Sequence, residues 1–395
     1  MKRLFATLAV TALTISPAAA APKAIPLQLG SIFTAPVGSE GFTVSGKSAI
    51  YLQNANNKSA DVVVTATDLS GQQSWQRVID GGFDEVGSAI TADPLGNIWI
   101  AGASAIAAPS ETPTSVAGID NPDGVAIDAP AKLRPDMNQL TLWKVSPAGE
   151  LIGTYISAQK SVPIVNAMSA NNSGVAIVGN IAGTPFLVNV VAGVFGKVVT
   201  IGTAKTELNA VARNSDGTTT IFGSSAESLV GKKLAGIRDG ILMKVSKTGA
   251  VTSLVRSSAN KASRSWVSGD AGNFVSGPVI TGKVIETAVT KFTPAFAPTW
   301  TMRLPSKGPS ATLTANGNFY LAVTSKSTVT GIAGWKPTTP SLLVITFDSK
   351  GVMKAATALP GLVTPISLAY SPIRGVTGMA SSADGTVSIF TLVSR

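Results

Sequence analysis

The feature that most constrains the fold is a repeated pair of β-hairpins, best preserved between Leu208 and Arg256. In its first half, an apolar run leads into a turn that ends at Gly217, and a β-branched run follows. The second half repeats this order around a turn that ends at Gly249. Apolar or β-branched runs on both sides of a glycine-containing turn are typical of an antiparallel hairpin. Two consecutive hairpins therefore predict a four-stranded antiparallel sheet.

The same unit recurs along the chain, which indicates one all-β repeat domain over residues 21–395. Six segments carry four strands and a seventh carries three; the segments are 42–79, 88–156, 166–201, 208–256, 265–304, 311–359 and 365–393. The apolar strand Ile25–Leu29, within residues 24–33, lacks a neighbouring partner, and pairing it with the last segment would cover exposed strand edges. We therefore predict a single seven-bladed β-propeller of four-stranded antiparallel blades, closed by this N-terminal strand. Six or eight blades and a pair of β-sandwiches are the alternatives.

Composition agrees with an all-β chain and excludes several kinds of active site. Only 13% of the residues are charged, while 39 Gly and 23 Pro suit many tight turns. The chain has neither Cys nor His, which excludes a Ser-His-Asp triad and any thiolate or imidazole metal site. An enzyme of this composition would have to use carboxylates, Tyr, Lys or a calcium ion. No cofactor is predicted.

The first twenty residues predict export. Lys2 and Arg3 precede the apolar run 4–15, and three alanines at 18–20 fit a signal-peptidase site. We predict cleavage after Ala20 and a secreted, periplasmic or cell-surface location, with an uncleaved anchor as the alternative. No later stretch is long and apolar enough to span a membrane.

The formal net charge of +10 bears on the partner. Lys and Arg are scattered, and aromatic residues are not interleaved with them as single-stranded nucleic acid would require. We therefore expect no nucleic-acid partner and a monomer. A basic excess favours anionic wall polymers or polysaccharides, and an ordinary solvated surface is the alternative.

Two stretches resemble the repeats of bacterial secreted seven-bladed β-propellers of the SBBP type. One runs from Trp75 through Gly81-Gly82-Phe83-Asp84-Glu85 to residues 88–102, and the other is Asp239–Gly249, which is similar to the outer hairpin of that family. The similarity is strong in the second, fourth and sixth units and weak in the third and in the outer half of the fifth. The resemblance implies the fold and export, and it supplies no catalytic residue.

Three long connections are the candidate binding region. They are Ser104–Asn138, Ala226–Asp239 and Lys326–Pro340, which would rise from one face of the propeller on alternate blades. Each contains a Gly-Ile pair, at 118–119, 236–237 and 331–332, in which we expect Ile to pack on the blade.

The residues that follow these Gly-Ile pairs differ between the loops. They are Asp120 and Asp123 in the first, Arg238 in the second, and Trp335 and Lys336 in the third. Loops on a rigid scaffold commonly carry binding, and a Trp beside a Lys suits a sugar or peptide platform. We predict a non-enzymatic scaffold that binds a protein, glycan or cell-wall polymer there. A carboxylate- or calcium-dependent propeller hydrolase or lactonase, a purely structural surface protein and plain loop elaboration are the alternatives.

Other conspicuous residues have structural interpretations. Trp75 and Trp300 occupy matching positions, which predicts packing against the next blade, with a ligand platform as the alternative. Asp80, Asp84 and Glu85 predict a solvated loop, with a cation site as the alternative. The turns that contain Gly217 and Gly385 lack the spacing of acidic ligands found in a calcium loop. We expect these two glycines at positive φ.

Overall fold

The computed structural model describes residues 24–56, 59–106 and 136–392. The predicted signal peptide lies outside these residues. In the part that is described, the regular elements are β-strands that form seven sheets. This part contains no helix that is long and apolar enough to cross a membrane.

We number the sheets by the order of their own segments in the chain. Sheet 1 comprises Ser39–Ser45, Ser48–Asn56, Ala60–Thr67 and Gln73–Ile79. Sheet 2 comprises Glu85–Ala92, Ile98–Ser104, Gln139–Val145 and Leu151–Ala158. Sheet 3 comprises Pro163–Asn171, Gly174–Ile181, Thr184–Val191, Val194–Phe195 and Val199–Thr200. Sheet 4 comprises Thr206–Arg213, Thr219–Ser225, Asp239–Val245 and Val251–Ser257.

The remaining sheets have more varied edges. Sheet 5 comprises Ala262–Arg264, Ser268–Gly269, Phe274–Thr281, Val284–Phe292 and Pro298–Leu304. Sheet 6 comprises Ser306–Ala315, Asn318–Ser325, Ser341–Phe347, Met353–Leu359 and the added strands Ile25–Leu29 and Ile332–Ala333. Sheet 7 comprises Leu362–Ser371, Gly375–Ser382, Val387–Thr391 and the added strand Ser31–Thr34.

The sheets surround a common axis. The first strand of each segment is innermost, together with Ser268–Gly269 in sheet 5, and the innermost strands of consecutive sheets contact one another from sheet 1 to sheet 7. The innermost strand of sheet 7 in turn contacts that of sheet 1. The architecture is a single all-β propeller.

The predicted ring of seven four-stranded antiparallel blades, closed by Ile25–Leu29, is wrong. Sheets 1 to 6 are complete blades, in the sense that one continuous segment supplies every position from the innermost strand outward. The segment of sheet 7 supplies only three strands, and Ile25–Leu29 does not complete it. That strand instead pairs in parallel with Met353–Leu359 at the edge of sheet 6, with Leu27 opposite Ala356. The complete blades therefore number six, and one of them carries a parallel edge.

Burial of apolar side chains explains where this strand goes. Ile25 and Leu27 pack against the core of sheet 6, and the amide of Ile25 donates to the carbonyl of Gly331 at 2.9 Å. The following strand, Ser31–Thr34, pairs antiparallel with Val387–Thr391 of sheet 7. The N-terminal segment is thus divided between two sheets.

The core is layered between sheets because the middle strands are covered on both sides. Every residue of Ile98–Ser104 is buried, whereas the outer strand Leu151–Ala158 alternates between exposed and partly buried positions. One layer joins Ile50 and Val62 of sheet 1 to Ile100 of sheet 2. Alternation is the pattern of a strand with one face in water.

Two tryptophans connect neighbouring blades as predicted. The Trp75 indole lies over Gly149 in the outer turn of sheet 2, and the Trp300 indole lies over Gly351 in that of sheet 6. Each Nε1 donates to a carbonyl of that turn, Pro147 or Ser349, at 3.2 Å. A Cβ on either glycine would come within 2.6 Å of the indole, so the turn needs glycine for this contact as well as for its positive φ.

The turn interpretation of the Asp-Gly pairs is confirmed, since Gly217 and Gly385 have φ values of 78° and 88°. Sheet 5 departs from this rule because Phe296 occupies the outer turn at φ 62°. Its side chain is buried with Trp266 and Phe292. Packing of the ring offsets the unfavourable backbone conformation at that turn.

Candidate functional site

The antiparallel order of the strands gives the propeller two different faces. Turns between first and second strands, such as 93–97, and between third and fourth strands, such as 146–150, lie on one face, which we call the turn face. Connections between second and third strands, and between sheets, lie on the other, which we call the long-loop face. The connections 226–238 and 326–340 lie there, whereas residues 107–135 are outside the described residues.

Trp335 does not form the open platform that its position in the loop suggested. The residue is 6% exposed, packs in the core of sheet 6, and its Nε1 donates to Ser325 Oγ at 3.1 Å. Lys336 remains exposed and lines a cavity of about 290 Å³ with Leu29 and Pro360. The lysine, and not the indole, is the group this loop offers to a partner.

Arg238 is partly engaged within the protein. Its Nη1 lies 3.2 Å from Glu207 Oε1 and donates to Ser224 Oγ at 3.0 Å. Its side chain is 30% exposed, so the residue remains partly accessible to solvent. The other two predicted site residues, Asp120 and Asp123, lie outside the described residues.

The two described Gly-Ile pairs differ. Ile332 is buried as predicted, at 7% exposure, whereas the prediction is wrong for Ile237, which is 64% exposed. The Asp239 carboxylate accepts the amides of Ala235 and Gly236 at 2.9 Å, and Ile237 donates its own amide to Ala262. These bonds hold the loop in a turn that leaves the isoleucine outside.

A buried ion pair stabilises the base of this second loop, and sequence reasoning missed it. Arg256 Nε lies 2.7 Å from Asp239 Oδ2, and the two side chains are 6% and 0% exposed. Arg256 Nη2 also donates to the Glu227 carbonyl at 2.7 Å. Burial acts to raise the pKa of Asp239, but the amide bonds and Arg256 outweigh it and hold that pKa below its ordinary value. The loop is therefore preorganised by a compensated charge.

The two faces differ in the number of exposed lysine side chains that they carry. Exposed lysines in the described connections of the long-loop face are Lys160, Lys205, Lys232, Lys233, Lys261, Lys283, Lys326 and Lys336. Described turns of the opposite face carry the exposed lysines Lys47, Lys247 and Lys350, together with Asp68, Asp93, Glu150, Asp216 and Asp348. Exposed lysines are thus more numerous in the connections of the long-loop face, which also carry the carboxylates Asp80, Asp84, Glu227 and Asp384.

A cluster of three carboxylates lies at the junction of sheets 1 and 2 on the same face. Asp61, Asp80 and Glu85 each place a carboxylate oxygen within 4.8 Å of the others. The predicted group contained Asp84 in place of Asp61; Asp84 Oδ1 instead accepts the amide of Ala60 at 2.8 Å. Asp61 belongs to the third strand of the preceding sheet, so only the fold brings it to the other two.

Glu85 is buried at 4% exposure and Asp61 at 5%, whereas Asp80 is exposed. Burial is the largest cause that raises the pKa of Glu85, to about 7; the charges of Asp61 and Asp80 add to the rise, and the Gly81 amide opposes it. That amide donates to Oε1 at 3.1 Å, while Oε2 has no hydrogen-bond partner among the described residues. Glu85 and Asp80 line a cavity of about 410 Å³ together with Trp143.

A second cavity, of about 570 Å³, lies on the turn face between sheets 2 and 3. Its aromatic rings contact one another and a lysine. Trp99 stacks on Tyr155 with 6.1 Å between ring centroids, and Lys144 Nζ lies 4.9 Å from the centroid of the Trp99 ring. Trp99 Nε1 donates to Asp93 Oδ2 at 3.0 Å. Trp99 is a strand residue, as predicted. The polar and aromatic groups named here already contact one another, so they are not available to a ligand.

Comparison with known proteins supports the fold. No protein-family model matches the chain, and no curated protein does. The solved structure of virginiamycin B lyase from Staphylococcus aureus is similar at a TM-score of 0.51 and 10% identity, over 92% of this chain and 99% of that one. A streptogramin B lyase structure gives 0.51 and 12% identity over 92% and 97% of the two chains. The WD40 domain of Toxoplasma gondii coronin gives 0.50 and 12% identity over 95% and 89%. At such identities these likenesses show a β-propeller fold and nothing about activity.

Proposed function

We propose that this protein is an exported, non-enzymatic β-propeller scaffold that binds an anionic extracellular polymer through its long-loop face. The observation that carries the proposal is the concentration of exposed lysines on that face. Lysine ammonium groups distributed over one surface attract a flexible polyanion and raise its rate of association. The acidic turns of the opposite face would repel the same ligand.

The rigidity of the loops supports a binding role. The Asp239–Arg256 pair holds the second loop, and burial of Trp335 and Ile332 holds the third. A preorganised loop loses little conformational entropy when its lysines engage a ligand. Because the Trp335 ring is inside the protein, stacking on a neutral sugar is not available at this position, and charge is the stronger basis for recognition.

Charge reversal on matched faces tests the proposal. The full chain is passed over immobilised polyphosphate, polygalacturonate and uncharged dextran, and its affinity is measured. A long-loop variant carries Lys232→Glu, Lys233→Glu and Lys336→Glu, and the control carries the same three changes on the turn face, at Lys47, Lys247 and Lys350.

The proposal predicts that polyanions bind and dextran does not, that affinity falls with added salt, and that the long-loop variant loses about tenfold or more in affinity. The turn-face control should stay within about twofold of the unmodified chain, since its lysines lie away from the ligand. Equal loss in both variants would mean that net charge alone governs binding. That result, or binding to dextran, contradicts the proposal.

Export and the SBBP resemblance belong to the same proposal. The basic start, apolar run and alanines of residues 1–20 support cleavage after Ala20. N-terminal sequencing of protein recovered from outside the cytoplasm should begin at Ala21. Recovery of the uncut chain from the cytoplasm would contradict export.

A propeller hydrolase or lactonase is the second candidate, because a carboxylate with a pKa of about 7 borders a cavity at Glu85. A general acid or base works best at such a pKa. The cluster, however, lies at the junction of sheets 1 and 2 and includes a residue from the third strand of sheet 1. This extension away from the common axis of the sheets makes the enzyme the second candidate and not the first. Ester or lactone hydrolysis that requires Glu85, tested with Glu85→Gln, would favour the enzyme over the scaffold.

A further inference from the structure

We propose that Asp61, Asp80 and Glu85 form a binding site for a hard divalent cation, with Ca²⁺ as the best fit. The site would join sheet 1 to sheet 2 on the long-loop face. It is independent of polymer binding, and none of the lysines discussed above contributes to it.

The first reason is that no described residue compensates the negative charge of the cluster. Within the described residues, no lysine or arginine forms an ion pair with Asp61, Asp80 or Glu85. The local partners are neutral: Ser59 Oγ donates to Asp61 at 2.8 Å and Gly82 donates to Asp80 at 2.8 Å. Buried carboxylates in proteins are paired, protonated or bound to metal.

The second reason is the unpartnered oxygen of Glu85. Glu85 is only 4% exposed, and its Oε2 is buried without a hydrogen bond from any described residue. Such an atom destabilises the folded state when nothing satisfies it. Its own Oε1 is already held by Gly81, where a Cβ would lie 2.5 Å from that oxygen. The backbone therefore positions the carboxylate while leaving one oxygen for a ligand.

The donor set favours calcium, because Mg²⁺ is usually bound through one or two carboxylates and this cluster offers three. The donors are oxygens only, which suits Ca²⁺ or Mg²⁺. The three carboxylate oxygens lie within 4.8 Å of one another, close enough for one cation to contact all three. The adjoining cavity of about 410 Å³ leaves room for the waters that would complete its coordination.

The position of the cluster indicates what the cation would do. Asp61 belongs to the third strand of sheet 1, Asp80 follows its last strand, and Glu85 begins the innermost strand of sheet 2. Asp84, in the same connection, accepts the amide of Ala105 at 2.8 Å through its carbonyl. A cation would thus lock two blades together beside the start of the first long loop.

Terbium luminescence tests the proposal directly, because Tb³⁺ replaces Ca²⁺ and is excited through a nearby indole. Trp143 lines the same cavity as Asp80 and Glu85. Excitation of the full chain at tryptophan wavelengths should produce Tb³⁺ emission, which CaCl₂ should displace more effectively than MgCl₂. The expected Ca²⁺ dissociation constant is about 10⁻⁴–10⁻³ M, the range of extracellular calcium modules. CaCl₂ should also raise the melting temperature.

Two variants and a control locate the site. Glu85→Gln and Asp80→Asn should each lower Ca²⁺ affinity about tenfold or more, since each removes a charged ligand. Asp80 is exposed, so its variant should fold even if the change at buried Glu85 does not. Glu150→Gln makes the same chemical change at an exposed site on the turn face and should leave affinity unchanged.

Absence of Tb³⁺ emission and of any Ca²⁺ effect on melting would overturn the proposal. Emission that persists in both variants would do so as well, because it would place the ion elsewhere. Stabilisation by acid alone, without any response to metal, would show that the cluster holds a proton instead.

Discussion

Two buried carboxylates on the long-loop face differ in their charged neighbours, and their pKa values are shifted in opposite directions. Asp239 in sheet 4 is fully buried against Arg256, and its pKa is lowered. Glu85, at the junction of sheets 1 and 2, is nearly as buried but faces Asp61 and Asp80, and its pKa is raised to about 7. One charge is compensated by a side chain of the same sheet, and the other is left for a proton or a cation. Burial alone therefore does not decide what a carboxylate does.

The largest expected effect comes from breaking the compensated pair. Arg256→Ala would leave Asp239 buried without its cation, and removal of one partner of a buried pair costs about 3–5 kcal/mol. The free energy of unfolding, measured by urea denaturation at pH 7, should fall by this amount. The second loop should also become more susceptible to proteolysis, because Arg256 holds the Glu227 carbonyl as well.

A loss below about 1 kcal/mol would place this pair with ordinary surface pairs and contradict the comparison. Arg256→Lys is the matched control. It keeps the positive charge but lacks the forked geometry, so its loss should be smaller than that of the alanine variant.

The uncompensated cluster should reveal itself through pH. In metal-free buffer, the folded state binds a proton at Glu85 up to about pH 7, whereas the unfolded chain releases it near the ordinary value of 4.5. Stability should therefore fall as pH rises from about 4.5 to 7 and then level off, by an amount on the order of 3 kcal/mol. Asp61 and Asp80 are the charged groups that face Glu85 and increase this effect.

Glu85→Gln should remove this pH dependence, because the amide is neutral at every pH, and Glu150→Gln should retain it. Asp239 behaves with the opposite sign: its lowered pKa stabilises the fold above its ordinary value of 3.8, and this contribution is lost as pH falls further. Stability that rises between pH 5 and 7 in the unmodified chain would contradict the assignment at Glu85.

The smallest effect should come from the exposed pair beside Asp239. Arg238 and Glu207 are 3.2 Å apart, with side chains 30% and 53% exposed. Arg238→Ala should lower the free energy of unfolding by less than about 1 kcal/mol. A loss as large as that of Arg256→Ala would show that exposure does not separate the two arginines.

The fold was largely predictable because its information is local. Turn glycines such as Gly217 and alternating outer strands such as Leu151–Ala158 lie in short stretches that can be recognised one by one. The path of Ile25–Leu29 was not, since an apolar strand fits any suitable sheet edge, and only the packing of Leu27 on sheet 6 decides between edges.

The candidate site was less predictable because its geometry depends on packing, which local sequence patterns do not show. Trp335 was expected at the surface because its loop is long, but the loop folds back and the indole donates to Ser325. Asp61 gives no local signal, as it joins Glu85 only through contact between two sheets. The Asp239–Arg256 pair is only 17 residues apart and joins adjacent strands of one hairpin; the hairpin pattern predicts these strands but does not show that this acid and this base are buried together.

Lysine footprinting tests whether the long-loop face binds a polyanion. The full chain is acetylated briefly with and without polyphosphate, and the modification of each lysine is measured by mass spectrometry. We expect polyphosphate to protect lysines such as Lys232, Lys233 and Lys336 on the long-loop face and to leave Lys47, Lys247 and Lys350 unprotected. Protection of the turn face, or equal protection of both faces, would contradict this proposal.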